Sequence, residues 1–341
     1  MQQLTYAGPG TLEWREVAEP QLGSDDGALV RPIAVATCDL DALIVAGESP
    51  FPPPFPIGHE CVGEVLEVGD AVSSIKPGEL VSVPFQISCG SCEPCLAGRT
   101  SNCAGVPFMA TYGFGPAVER WGGFLSDVVE VPYAEHMLVS VPSGLDPAAV
   151  ASASDNLSDA WRAVAPALAE HPGADVLVVG GAGAGSIGLY AAGLAAALGS
   201  RSVLYVDADD TRRETAVRLG VQTLAEKPKR VGPYPITVDA SADPEGLALA
   251  LRSTAPDGVC TSTAIYFGEQ PRLPLLEMYT KGITFRTGRV NARGAMPHVL
   301  ALAADGLVRP ELVTSRVVGW NDAADALAQG GWTKLVIERA R

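Results

Sequence analysis

Positive charge is scarce in this chain. Its 341 residues carry 24 Lys and Arg against 39 Asp and Glu, a formal net charge of −15. So acidic a surface repels phosphate, which argues against nucleic acid and anionic membranes as partners. No basic stretch followed by a short apolar run stands near the start, so no secretion signal is expected. No internal repeat or low-complexity tract is evident, which excludes a repeat array. Long apolar runs are also few. The uncharged stretch Leu177–Leu198 is long enough to span a bilayer, but it opens with Val-Leu-Val-Val and is broken by glycines. A buried strand, turn and helix explains it better than a membrane span.

Apolar residues are plentiful, at 47% of the chain, enough for sizeable cores. The length suits two domains. Up to about Asp146 the chain is rich in Pro and Gly, with strand-like runs at Leu29–Val35, Val62–Val68 and Leu80–Pro84. Ala148–Leu168 is Ala-rich and predicts a helix. From Ala174 strands and helices alternate: Val176–Val179, Ser186–Leu198, Val203–Val206, Arg212–Leu219, Ile236–Val238, Glu245–Arg252 and Val259–Ala264. That alternation predicts a parallel sheet with covering helices. Beyond Gly288 it fades, leaving a helix at His298–Ala304 and a terminal strand at Lys334–Glu338, and this tail is expected to rejoin the first domain.

Six of the seven cysteines fall between Cys38 and Cys103, and four of them form Cys89-x2-Cys92-x2-Cys95-x7-Cys103. Four thiolates at about 2.3 Å from one centre make a closed tetrahedral zinc site with no open position. An iron–sulfur cluster and two disulfides are the alternatives. The first lacks the usual nearby fourth cysteine and proline, and the second suits small secreted domains. Metal thiolates fit a reducing cytoplasm.

Gly183-Ala-Gly185-Ser186-Ile187-Gly188 matches G-x-G-x-x-G between a predicted strand and helix. Such a turn brings backbone N–H groups and a helix N-terminus to a pyrophosphate. Asp207 ends the next strand, where a carboxylate accepts hydrogen bonds from ribose hydroxyls and repels a 2′-phosphate, favouring NAD. Capping the following helix is its alternative role, and the nearby Arg212 leaves NADP open.

Cys38, His59 and Glu60 stand outside the cysteine cluster. A catalytic zinc needs three protein ligands and one exchangeable position, and spacing alone does not decide whether these residues serve it.

With Gly58-His59-Glu60-Cys61-Val62-Gly63-Glu64-Val65, the cysteine cluster and the Gly-rich turn with Asp207, the chain resembles the medium-chain zinc-dependent alcohol dehydrogenase family over essentially its full length. The resemblance implies an α/β protein with a GroES-like β-barrel catalytic domain and a Rossmann doubly wound parallel sheet. The implied limits are 1–154 for the catalytic domain with its zinc lobe at 85–110, 155–288 for the NAD-binding domain, and 289–341 for the return to the catalytic domain. It implies two zinc ions per chain and NAD.

It further implies Cys38 and His59 as ligands of a catalytic zinc, with Asp155 as the third and Asp159 as competitor for that place. Glu60 matches a carboxylate beside the metal, Asp41 the partner that orients the ligand histidine, and Lys334 a cation near the cofactor pyrophosphate. The implied reaction moves a hydride between an alcohol, aldehyde or ketone and NAD(H), zinc polarising the oxygen. Relatives are homodimers or homotetramers. Phe51, Phe85, Tyr112 and Trp121 are candidates for a substrate pocket or for the core.

Two residues depart from the family. Leu40 stands where a Ser or Thr starts the proton path, and a leucine relays no proton. Asp39 brings a carboxylate to a place near the cofactor phosphates. Two other readings follow: a zinc-independent quinone or enone reductase on the same fold, and a non-catalytic protein that binds NAD and zinc.

Overall fold

In a computed structural model, which describes residues 1–115, 118–181, 183–268 and 270–340, the alternating segments after Ala174 become a six-stranded sheet. Its spatial order is Gln222–Leu224, Val203–Val206, Val176–Val179, Tyr234–Asp239, Thr254–Ser262 and Thr284–Arg286, and every neighbouring pair is parallel. The order reverses beside Val176–Val179, the first of these strands in the chain, and ligands bind at that crevice in doubly wound sheets. Two short strands, Gln222–Leu224 and Thr284–Arg286, lie at the edges and carry too few apolar residues to stand out in the sequence.

Val176–Val179 is buried at every position because helices cover both faces of a parallel sheet. Each such side chain contributes roughly 1.5–3 kcal/mol of transfer free energy. The helix Ser186–Ala197 is buried over most of its surface, including Leu189, Ala191, Ala192 and Leu194. That burial explains the missing charge between Leu177 and Leu198. Among the described residues, no helix is long and apolar enough to cross a membrane.

The second architecture is mostly antiparallel. Ala28–Ala36 pairs with Glu60–Val68, Val129–Val131 and Leu335–Glu338, and Glu60–Val68 pairs in turn with Leu80–Val83. A smaller sheet joins Thr11–Glu16, Gln2–Gly8 and Phe55–Pro56. The chain divides into two compact units, Met1–Ser158 with Val290–Arg341, and Asp159–Arg289. The tail belongs to the first unit because Leu335–Glu338 adds a strand to its sheet.

The helix predicted over Ala148–Leu168 is interrupted. It is made of a helix Pro147–Val150, a 3-10 turn Ala151–Ser154 and a helix Asn156–Glu170. Asp146 caps the first by accepting from the Ala148 N–H at 3.1 Å. The break lies at Asp155, with φ −151° and ψ −86°. Just before it, the Ser154 hydroxyl accepts from the Cys61 N–H at 2.9 Å and donates to Ala151 O at 3.1 Å. A long-range tie to a strand overrides local helix propensity there.

Candidate functional site

Three segments bring their side chains to one point in the first unit. Cys38 follows the strand Ala28–Ala36 and is the N-cap of the helix Asp39–Ala46. His59 immediately precedes the strand Glu60–Val68. Asp155 stands at the helix break. One ligand atom from each of Cys38, His59 and Asp155 lies within 4.8 Å of the other two.

Gly58 sets the approach of His59. Its φ is +97°, and an added Cβ would sit 2.9 Å from the Leu125 backbone nitrogen, so another residue would force the chain apart.

The surroundings of this set are negative. Asp41 Oδ1 lies 3.4 Å from His59 Nδ1, and Asp155 Oδ2 lies 3.6 Å from Nε2. The fully buried Glu60 stands beside them in sequence. Burial disfavours a charged imidazole, yet the carboxylates of Asp41 and Asp155 outweigh it and raise the pKa of His59 to about 10. Burial, then Asp155, Glu60, Asp41 and Asp39, push the Cys38 thiol well above its ordinary value.

Neither ring nitrogen of His59 makes a hydrogen bond, and nor does Asp41 Oδ1, although all three are buried. Buried polar atoms left so are rare and cost about 1–3 kcal/mol each. A cation among a thiol, an imidazole and carboxylates answers both the unmet ring nitrogen and the excess negative field. The donor set fits zinc.

The other members of the predicted set are close by. Asp41 Oδ2 accepts from the Cys38 N–H at 2.7 Å, closing a capping box that ties the helix start to the cysteine. The Leu40 N–H points to Cys38 Sγ at 3.5 Å. Lys334, expected near the cofactor pyrophosphate, is instead fully buried beside this set, where its ammonium donates to Glu60 Oε2 at 2.6 Å and to the carbonyl of Thr37. Glu60 Oε1 accepts from the Asn156 N–H at 3.3 Å. Asp159 lies outside the three-residue set, paired with Arg162 at 2.5 Å.

The thiols of Cys89, Cys92, Cys95 and Cys103 also lie within 4.8 Å of one another. All are free of disulfides. Backbone N–H groups of Ala104 and Gly105 point to Cys92 and Cys103 sulfurs, each at 3.3 Å. Hydrogen bonds from Ser91 and its neighbours outweigh burial and bring Cys89 down to about 6, while burial pushes Cys95 up to about 12. The four sulfurs form a compact group that a tetrahedral ion would fill.

In the second unit, Gly183 and Gly185 adopt φ +75° and +76° in the turn after Val176–Val179, and Ser186 and Ile187 begin the helix. Gly188 faces Tyr205 and Ala240, where an added Cβ would meet both at 3.3–3.4 Å. Asp207 is fully buried. Oδ2 accepts from Tyr205 OH at 2.6 Å and Arg212 Nε at 2.8 Å, and Oδ1 from Asp209 N and an Arg212 Nη, each at 2.9 Å. Burial raises its pKa, but these donors win and hold it below the ordinary value. Arg212 also donates to the carbonyls of Gly181 and Gly183, so its guanidinium lies across the Gly-rich turn. The following helix is capped by Asp209, not by Asp207.

Of the predicted pocket aromatics, Phe85 and Phe51 pack with Phe114 near His59. Tyr112 is instead a core residue whose hydroxyl donates to Glu130 O at 2.7 Å. Trp121 lies under Arg120 and borders a different groove. A groove of about 820 Å³ lined by residues including Ile33, Val141 and Val317 contains none of the site residues.

Residues 24–143 match the family model for the alcohol dehydrogenase GroES-like domain. Over 257 residues the chain is 34% identical to L-threonine 3-dehydrogenase of Streptomyces coelicolor, covering 71% of this chain and 70% of that protein. The chain belongs to the medium-chain zinc-dependent alcohol dehydrogenase family. It is also 33% identical to glutathione-independent formaldehyde dehydrogenase of Pseudomonas aeruginosa, over 64% of this chain and only 57% of that relative's length. An alcohol dehydrogenase from Thermus sp. ATN1 superposes with a TM-score of 0.88 at 27% identity, covering 100% of both chains.

The α/β fold of this alcohol dehydrogenase family member joins a GroES-like unit to a Rossmann-like parallel sheet. Phe114, Thr37 and Tyr205 escaped the sequence reading. The first two carry no signal of their own; a tyrosine two residues before Asp207 in a strand was a visible but weak one.

Proposed function

We propose that this chain is a zinc-dependent oxidoreductase that moves a hydride between an alcohol–carbonyl pair and NAD(H). The observation that supports it is the meeting of Cys38, His59 and Asp155, from three distant segments, around unmet buried nitrogens. Zinc bound there supplies a Lewis acid for the substrate oxygen, and NAD supplies the hydride acceptor.

Cys38 and Asp155 bring two negative charges that match a divalent ion, and His59 adds a neutral nitrogen. Asp41, whose Oδ1 lies 3.4 Å from Nδ1, is placed to orient the His59 ring once Nε2 is engaged by the metal. The Leu40 N–H stabilises charge on the Cys38 sulfur. Leu40 itself carries no hydroxyl and moves no proton. Glu60 stands beside the ligands, held by Lys334. Cys89, Cys92, Cys95 and Cys103 hold a second, structural zinc. Gly183, Gly185, Ser186, Ile187 and Gly188 would cradle the pyrophosphate, while Asp207, expected to meet the adenosine ribose, is fully buried with both oxygens taken by Tyr205, Asp209 and Arg212 and would act by holding Arg212 across the turn. Two relatives are named for threonine and formaldehyde, which supports a small-molecule substrate. The acidic surface supports a protein that leaves nucleic acid and membranes alone, and the free thiols a cytoplasmic one. A homodimer or homotetramer follows the pattern of the family.

Metal analysis with steady-state kinetics tests this reading. Two zinc ions per chain and NADH formation with an alcohol panel are expected. Asp155→Ala should remove one zinc and abolish turnover. One zinc in the intact chain, or unchanged turnover in the variant, would overturn it.

A further inference from the structure

Two buried carboxylates flank the strand Val176–Val179. Asp207 follows Val203–Val206 on one side, and Asp239 ends Tyr234–Asp239 on the other. Both are 0% exposed. Asp239 Oδ1 accepts from the Ser241 N–H at 3.1 Å and from the Ser241 hydroxyl at 2.6 Å. Its Oδ2 accepts from the Ser262 hydroxyl at 2.7 Å and the Tyr266 hydroxyl at 2.9 Å. All four donors are neutral. Burial raises the Asp239 pKa, and these donors oppose the rise.

These bonds tie two loops to one point. Ser241 lies between Tyr234–Asp239 and the helix Pro244–Ser253, and Tyr266 lies in the segment after Thr254–Ser262. Both loops leave the carboxyl ends of parallel strands, the edge where doubly wound sheets bind their ligands. The first loop rests on the Gly-rich turn. An added Cβ on Gly181 would lie 2.6 Å from Ser241 O, and one on Gly188 would meet Ala240 at 3.4 Å. In the second loop Ile265 and Phe267 are 53% and 39% exposed, and Tyr266 between them turns inward to Asp239.

Burying a carboxylate carries a large desolvation cost that hydrogen bonds offset. What Asp239 supplies in exchange is position. Its two oxygens accept from both loops at once, which no apolar side chain at this strand end could do.

We propose that Asp239 is a positioning residue for the nicotinamide half of NAD(H), fixing loops 240–243 and 263–267, against which that half rests. The inference rests on the NAD-linked reading above and deepens it. A doubly wound sheet is built of two mononucleotide-binding halves that meet where the strand order reverses. Val203–Val206 and Gln222–Leu224 lie on the half that carries Asp207 and Arg212, the adenosine half. Asp239, Ser262 and Tyr266 belong to the other half, which is left for the nicotinamide.

Calorimetric titration of the zinc-loaded full chain with NADH, and with ADP-ribose, which lacks the nicotinamide, tests the proposal. In Asp239→Asn the amide oxygen stays with the fixed Ser241 N–H, and the amide nitrogen faces Ser262 and Tyr266, which lose their acceptor. Tyr266→Phe removes the tyrosine bond alone and leaves the Ser241 and Ser262 donors in place. Both variants, checked by melting temperature, should bind NADH about tenfold more weakly, the scale of one lost hydrogen bond to a charged group. Both should bind ADP-ribose within about twofold of the wild type, since the adenosine half is untouched. The fluorescence emission of bound NADH should move toward that of free NADH. If Asp239→Asn does not fold, Tyr266→Phe decides alone. Equal weakening of both ligands, or of neither, would sink the positioning role and leave the NAD-linked reading standing. A wild-type chain without affinity for NADH would overturn that reading, and this inference with it.

Discussion

Lys334 and Glu60 stand 274 positions apart in the chain and meet in a fully buried ion pair, Nζ to Oε2 at 2.6 Å. The pair joins the terminal strand to the strand that follows His59. Burial pushes the Glu60 carboxyl up from its ordinary value, and the Lys334 charge opposes that rise. Removing one member of such a pair strands the other. Lys334→Met should cost about 3–5 kcal/mol, and Lys334→Met with Glu60→Gln should recover much of it. Urea unfolding of the two variants measures this. Equal losses in the single and double variants would show that the pair adds nothing beyond packing.

The Arg212 guanidinium makes four hydrogen bonds, two to Asp207 and two to carbonyls of the Gly-rich turn. As a fixed cation bound to Asp207, a carboxylate of the proposed cofactor site, it would offset the repulsion that Asp207 exerts on a 2′-phosphate. Arg212→Ala should therefore raise the preference for NAD over NADP by about tenfold, or ~1.4 kcal/mol. Dissociation constants for NADH and NADPH, read by fluorescence, check this. Parallel changes for both cofactors would mean that Arg212 supports only the turn.

The four-cysteine group carries its own expectation. Cys92→Ser should lower the metal content from about two zinc per chain to about one. Because thiolate sites couple metal binding to local folding, the melting temperature should fall as well. Residual zinc should still leave with mutation of His59. A Cys92→Ser protein with full zinc content would remove the cysteines from metal binding.

Glu135 accepts from the N–H groups of Ser73 and Ser74, at 2.9 and 3.1 Å, and from the Ser73 hydroxyl at 3.0 Å. Those backbone and hydroxyl donors lower its pKa from 4.5 to about 2. A carboxylate depressed by folding stabilises the fold above its unfolded pKa, and that contribution is lost as pH falls through the folded value. Glu135→Gln should therefore lower the melting temperature at pH 7. The gap to the wild type should narrow between about pH 4.5 and pH 2. A gap constant across that range would contradict the assignment.

Much of the fold was legible because its signals are local. Val176–Val179, Ser186–Ala197 and Val203–Val206 follow from apolar runs, a glycine turn and an Ala-rich helix read in order. The two edge strands of that sheet were missed because their pairing comes from neighbours and not from their own apolar content. The interruption at Asp155 was missed because a seryl contact with Cys61, 93 positions away, breaks a stretch with good helix propensity.

By itself the sequence determined what short-range chemistry controls: the spacing that lets Cys89, Cys92, Cys95 and Cys103 meet, and the glycines that turn at 183 and 185. Only tertiary structure decided that Cys38, His59 and Asp155 converge, that Phe114 lies on His59, and that Lys334 neutralises Glu60. Residues within one turn are neighbours whatever the rest of the chain does. Residues far apart become neighbours only when burying the cores of whole sheets offsets the entropy of closing long loops.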